Sequence, residues 1–296
     1  LIIQMVVDNS EGLWLVTTTG LYLYRDNSVI HVNEEEGEIL SICEFDEGHL
    51  FAITEEGIYI LDQQTYEKQI EYLHPEGVRY NATKSYYDTD YGRLWIGTRY
   101  NGLYTYEVGS KIFSKILDKT FPEQPILAIE INSDSTILIG VDGKGICELT
   151  RDGRELLNTY KEDIDNPSSL HGNGVYDILC DDNKRVWVAT YSGGLSFFDQ
   201  KTPYVTQIVH QINNNNSLCD NYINKILEDS RGNIWFGTNN GISRWNRRTN
   251  KWDTFYHNKH GQAQVFLALC EDNIGNIWAG TYSSGVYVLD GRTYKE

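Results

Sequence analysis

One short phrase recurs along this chain at a nearly constant interval, and it restricts the possible folds more than any other feature. Its fullest form is EDSRGNIWFGTNNGISRW, from Glu228 to Trp245, and it returns 43 residues later as EDNIGNIWAGTYSSGVYVL, from Glu271 to Leu289. Self-alignment finds seven copies, anchored on Trp14, Phe51, Trp95, Leu138, Trp187, Trp235 and Trp278. Successive anchors lie 37, 44, 43, 49, 48 and 43 residues apart, a mean of 44. Threonine follows three residues after the anchor in six copies (Thr17, Thr54, Thr98, Thr190, Thr238, Thr281), and Val141 stands there in the fourth. Glycine follows six or seven residues after the anchor in all seven: Gly20, Gly57, Gly102, Gly145, Gly194, Gly241 and Gly285. A period of this length marks an architecture built by repeating one supersecondary unit.

Each unit reads as four short strands. In the sixth, YINKILED (Tyr222 to Asp229) is an apolar run, SRGN a turn and IWFGT a second strand. The glycine-bearing turn NNG leads to ISRW, and KWDTFYH (Lys251 to His257) is a more polar fourth strand. That fourth strand recurs as SVIHV, KQIEYL, KIFSKIL, LLNTYK and YVTQIV. Short runs between Gly, Asn and Asp turns are hairpin signals. Four-stranded sheets repeated every 40–45 residues predict an all-β fold, a seven-bladed β-propeller of antiparallel blades forming a single domain over residues 1–296. The anchors are expected to fill the space between blades. The small residues Gly97, Gly140, Ala189, Gly237 and Gly280 would let the next sheet approach, and the repeated glycine would supply a positive-φ turn. After Leu289 only DGRTYKE remains. The last blade is therefore expected to be three-stranded or to take its outer strand from further sequence. The chain, which opens at Leu1 within a strand-like run, reads as a segment of a longer protein.

Composition agrees with strands and turns. Aromatics make up 12%, with 21 Tyr and 7 Trp, whereas Gly numbers 26 and Pro only 5. The formal net charge is −17, which disfavours phosphate-backbone binding, so no direct nucleic-acid partner is expected. Arg244, Arg247, Arg248 and Lys251 form one basic run, read as a solvated turn. No apolar stretch is long enough to span a membrane. Cys43, Cys147, Cys180, Cys219 and Cys270 are scattered and lack C-x-x-C spacing, so they read as core residues and neither as a disulfide framework nor as a zinc site.

Catalytic signals are weak. Asp8, Asp181, Asp229 and Asp272 occupy the same turn in different repeats, so they are expected to shape turns rather than form one active site. None belongs to a calcium loop, and no metal or cofactor is expected. The histidines are His31, His49, His74, His171, His210, His257 and His260, and none lies in H-E-x-x-H. The loops joining strands two and three, and those entering strand one, should emerge at one end of the blades. They carry Tyr80, Asn81, Arg99, Tyr100, Asn101, His171, Asn173, Tyr191, Asn221, Tyr222, Asn239, Asn240 and Tyr282. Amides and aromatic rings suit a ligand with both hydroxyls and apolar C–H faces, such as a sugar, although Asn and Tyr also suit turns for their own sake.

EDSRGNIWFGTNNGISRWN, EDNIGNIWAGTYSSGVYVLD and GRLWIGTRYNGLYTYE closely resemble two-component regulator propeller repeats, and NPSSLHGNGVYDILCDD and NNSLCDNYINKILEDS resemble the family's loop before the next blade. The second and fourth units depart from the pattern by lacking Trp. Such repeats occur in the sensor regions of hybrid two-component histidine kinases of gut Bacteroidetes. The resemblance implies a periplasmic, non-catalytic sensor whose parent carries an inner-membrane helix, a kinase and a receiver. Its ligand would be an oligosaccharide released from glycans, its output transcription of polysaccharide-utilisation genes by phosphorelay, and its partners adjacent sensor domains in a homodimer. The cysteines, read alone, lean towards a reducing compartment. Two other readings remain: a propeller lyase or glycosidase using His171, and a scaffold binding a protein partner.

Overall fold

The computed structural model describes residues 1–8, 12–32, 38–117, 119–133, 135–163, 165–166, 168–199, 202–257 and 263–295. His260 lies outside them. Twenty-seven strands and no helix occur among the described residues. They form seven antiparallel sheets over residues 2–32, 39–73, 82–115, 126–160, 175–208, 223–255 and 266–289. In each sheet the strands follow chain order, which short hairpin connections require. Six sheets have four strands and the seventh has three: Phe266–Glu271, Ile277–Thr281 and Val286–Leu289. The fold is a seven-bladed β-propeller, and the three-stranded last blade is one of the two forms that the sequence allowed.

The chain divides into two compact units, one of residues Ile3–Ile129 and one of Leu1–Ile2 with Glu130–Glu296. Within each, burial follows position in the sheet. Second strands such as Leu13–Thr17 and Ile234–Thr238 are buried throughout. Fourth strands such as Lys68–Leu73 and Leu156–Tyr160 are mostly exposed or half-buried. The apolar second-strand sequences are therefore covered on both faces, and the polar fourth strands form the rim.

The anchors lie between sheets. Trp14 packs with Ile39, Ile42 and Leu50 of the second sheet. Trp187 meets Ile223, Ile226 and Phe236 of the sixth, and Trp235 meets Phe266, Leu269 and Ala279 of the seventh. A fully buried indole contributes about 4–6 kcal/mol of transfer free energy. Trp278, in the three-stranded sheet, is only half-buried. Two of the small residues, Gly97 and Gly237, act as expected. A Cβ on Gly97 would lie 2.5 Å from the Ile126 side chain, and one on Gly237 3.2 Å from the Phe266 carbonyl.

Two side chains explain most of the repeated phrase. Each of the six threonines donates its hydroxyl to the carbonyl of the repeat glycine, at 2.7–3.3 Å. This closes the turn between strands two and three. The acids Asp8, Asp181, Asp229 and Asp272 accept the indole N–H of the tryptophan six residues on, at 2.7–2.9 Å. Their other oxygens accept turn amides, for example Gly12 N–H at 2.8 Å and Asn233 N–H at 2.8 Å. They shape turns, as their repetition implied. Burial opposes ionisation of Asp181, yet the indole of Trp187 and the backbone and side chain of Arg185 outweigh it and lower its pKa.

One expectation about glycine needs correction. Six of the repeat glycines have positive φ, between 74° and 124°, but Gly57 does not. A Cβ on Gly57 would collide with the Tyr72 carbonyl, so that position needs glycine for close approach of the outer strand.

Candidate functional site

The turns just described position the loop residues, and in the unit containing the fourth to seventh sheets they surround a cavity of about 480 Å³. Three loops and one outer strand line it. Asp142 and Gly143 come from the turn of the fourth sheet, Glu162 from the segment leaving that sheet, and His171 to Gly174 from the segment entering the fifth. Tyr191, Ser192 and Gly193 come from the turn of the fifth sheet, and Gln207 from its outer strand Thr202–Ile208.

Asparagines knit these loops together. The Gly145 N–H donates to the Asn173 carbonyl at 2.9 Å, and the Glu162 N–H to the Asn173 Oδ1 at 2.9 Å. One sheet later, Gly194 N–H donates to the Asn221 carbonyl at 3.0 Å and His210 N–H to its Oδ1 at 2.6 Å. Each asparagine joins the turn and the exit of one sheet to the entrance of the next. Tyr191 N–H donates to the Gly174 carbonyl at 2.9 Å, which fixes the entry loop against the turn of the same sheet. Backbone crowding tightens the wall further. Ser192 has φ of 133°, a strained conformation for a residue with a side chain. A Cβ on Gly193 would collide with the His171 carbonyl.

The cavity's chemistry is mixed. Tyr191 is half-exposed; its ring stacks on Tyr176 at 5.4 Å and meets the edge of Tyr222 at 5.2 Å. Burial, followed by the charge of Asp142 and by Tyr191, raises the pKa of Tyr176. His171 Nδ1 is buried without a hydrogen-bond partner. An aromatic face, a histidine and several carbonyl, amide and carboxylate oxygens can hold a polar ligand that has one apolar side. No cluster of His, Cys, Asp or Glu suited to a metal ion occurs among the described residues.

The sequence-derived site residues separate into groups. His171, Asn173 and Tyr191 line the cavity together. Tyr222 adjoins them through a β-bridge to Tyr191, and Asn221 fixes the next loop. Asn239 accepts from the Asn224 side chain at 2.9 Å, and the Asn240 carbonyl lies 2.9 Å from His257 Nδ1. Tyr282 is exposed on the seventh sheet and does not line the cavity. Tyr80, Asn81, Arg99, Tyr100 and Asn101 belong to the other unit. There Tyr80 packs at 4.6 Å from both His74 and Tyr104 in an aromatic cluster, and Tyr100 is exposed. Burial in that cluster pushes the His74 pKa down to about 4. Asp142, Glu162 and Gln207 were not singled out from sequence. A signal for Asp142 existed, since it lies four residues after its anchor, as Arg99, Tyr191, Asn239 and Tyr282 do after theirs.

The unit Ile3–Ile129 holds a second cavity of about 550 Å³, lined by strand-one residues including Gln4, Cys43, Glu44 and Tyr87. None of the sequence-derived site residues reaches it. The five cysteines are free, and burial raises the thiol pKa of Cys43 to about 12 and of Cys147 to about 11. Such thiols are poor nucleophiles at neutral pH.

Seven successive antiparallel sheets with strands in chain order are the blades of a β-propeller. The model of the two-component regulator propeller matches residues 169–192, 217–240 and 260–283. The first match runs from Ser169 to Ser192, so it contains His171, Asn173 and Tyr191. Among solved structures, the extracellular domain of one hybrid two-component system from B. thetaiotaomicron superposes with a TM-score of 0.82 at 22% identity, over 99% of this chain and 39% of that one. Another from the same organism gives a TM-score of 0.75 at 19% identity, over 97% and 38%. The WD40 propeller of Doa1 also matches, with a TM-score of 0.72 at 14% identity; the likeness to these structures is one of fold. A histidine kinase of Formosa agariphila is 26% identical over 95 residues, which are 30% of this chain and 7% of that protein. The chain thus spans well under half the length of the receptors it resembles.

Proposed function

We propose that residues 1–296 form a single sensor domain of a hybrid two-component histidine kinase and bind a glycan-derived oligosaccharide in the cavity of Asp142, His171, Asn173 and Tyr191. One observation carries this reading: the matched repeat of residues 169–192 itself supplies His171, Asn173 and Tyr191 to that cavity. Repeats of this kind and the extracellular position of the structural relatives support a periplasmic location and a parent that spans the inner membrane. The segment binds without chemistry; the kinase lies elsewhere in the parent. Ligand controls that kinase only through different affinities for two receptor states. We take the output to be movement of this propeller against adjacent sensor domains of a homodimer, which drives a phosphorelay and transcription of polysaccharide-utilisation genes. Calorimetric titration of the chain with a panel of oligosaccharides tests the binding step. We expect saturable heat with one class of glycan, weakened at least tenfold by Tyr191→Ala, which removes the stacking face. Heat that is unchanged in that variant, or silence across the panel, would reject the site.

A further inference from the structure

Several buried or half-buried carboxylates of this acidic chain pair with cations. Asp8 holds Arg25 at 2.6 Å, and Asp177 holds Lys225 at 2.7 Å. Asp181 accepts from Arg185 and Arg247, each at 2.8 Å, and Glu228 also pairs with Arg247. The cavity of His171 and Tyr191 has carboxylates without such partners. Half-buried Asp142 and exposed Glu162 line it, and neither makes an ion pair or a side-chain hydrogen bond with any described residue. No Lys or Arg is among the eleven lining residues. The buried Nδ1 of His171 is a further polar atom in the same wall with no partner.

The lining therefore favours a ligand charge of one sign. A ligand carboxylate or sulfate would meet two carboxylates with no guanidinium or ammonium to neutralise it, at a cost that partial desolvation increases. A protonated amine would meet two unpaired acceptors, which favour short, charge-assisted hydrogen bonds. The Tyr191 face remains available for the C–H face of the same sugar ring.

We propose that the sugar seated in this cavity is a hexosamine with a free, protonated amine, held by Asp142 and Glu162. This inference rests on the sensor reading and narrows its ligand. The 296-residue chain is titrated by calorimetry with three trisaccharides: the glucosamine trimer, its fully N-acetylated form and the galacturonate trimer. The glucosamine trimer should bind at least tenfold more tightly than either of the others. Asp142→Asn should weaken it about tenfold, as should Glu162→Gln, with little effect on the N-acetylated trimer. Raising NaCl should weaken the amine trimer alone. Equal or tighter binding of the galacturonate trimer, or indifference of the amine trimer to both substitutions, would overturn the inference while leaving a glycan sensor in place. Silence with all three trimers would overturn it too, and a response to some other glycan in the wider panel would then show that the sensor reading survives. Circular dichroism of each variant guards against loss of fold as the cause of lost binding.

Discussion

A single residue of spacing decides whether a buried tryptophan is satisfied. Where the acid lies six residues before the anchor, its carboxylate reaches the indole N–H, as in Asp229 with Trp235 at 2.8 Å. In the third repeat the acid is Asp88, seven residues before Trp95, and Trp95 Nε1 is buried without a partner. The other non-conforming repeats change both members. Phe51 has Phe45 at the acid position, and Leu138 has Asn132, so no indole donor is present to need an acid. This pairing was legible in the sequence, because Trp and the acid six residues earlier come and go together except in the third repeat. It escapes a reading that treats the acids as turn formers alone. The contrast predicts unequal costs for the same substitution. Trp235→Phe should destabilise the protein by about 1.5–3 kcal/mol more than Trp95→Phe, because it removes a hydrogen bond to a charged group whereas Trp95→Phe removes an unpaired donor. Urea denaturation of the two variants measures this. Equal losses would mean that the indole hydrogen bonds contribute nothing net.

At the scale of the hairpin, the threonine hydroxyl and the glycine carbonyl form one device, and the sequence displayed both partners. What the sequence could not display is why each glycine is required. Six have a positive φ, whereas Gly57 is required only by the Tyr72 carbonyl of the neighbouring strand, a close approach to the outer strand that Gly145 also makes to the Tyr160 carbonyl. Gly57→Ala should therefore push Lys68–Leu73 away from its partner strand and cost about 1–3 kcal/mol, the usual range for overpacking. Gly109→Ala, where φ is not positive and an added Cβ meets nothing within 4 Å, should be close to neutral. Thermal melts of both variants make the comparison, and equal stability would remove the close-approach argument. The cavity was legible to a similar degree. The repeat offset pointed to Tyr191, and the loop inventory to His171 and Asn173. Glu162 and Gln207 enter it from an exit segment and an outer strand, whose sequences carry no shared mark.

Across the whole molecule, the number of copies of the repeated phrase matches the number of sheets, because each copy supplies one apolar second strand to a sheet of its own. The ligand was not legible in that way. Repetition records what every blade needs, and a binding site is made of the residues by which two neighbouring blades differ from the rest. Net charge is the other property of the whole chain, and it sets two tendencies against each other. At −17 the folded protein repels itself, and expansion relieves that repulsion. Pairs such as Asp8 with Arg25 and Asp181 with Arg247 hold it together, and their carboxylates are fully buried. Salt screens long-range repulsion between exposed charges far more than it screens contacts inside the fold. Raising NaCl from about 20 mM to about 500 mM shortens the screening length from roughly 20 Å to roughly 4 Å, so the melting temperature should rise by several degrees. A fall would mean that surface ion pairs outweigh the excess of like charge. The same excess attracts cations to the surface at low salt, so a protonated sugar amine should associate faster with this chain as salt is lowered, and a uronate more slowly.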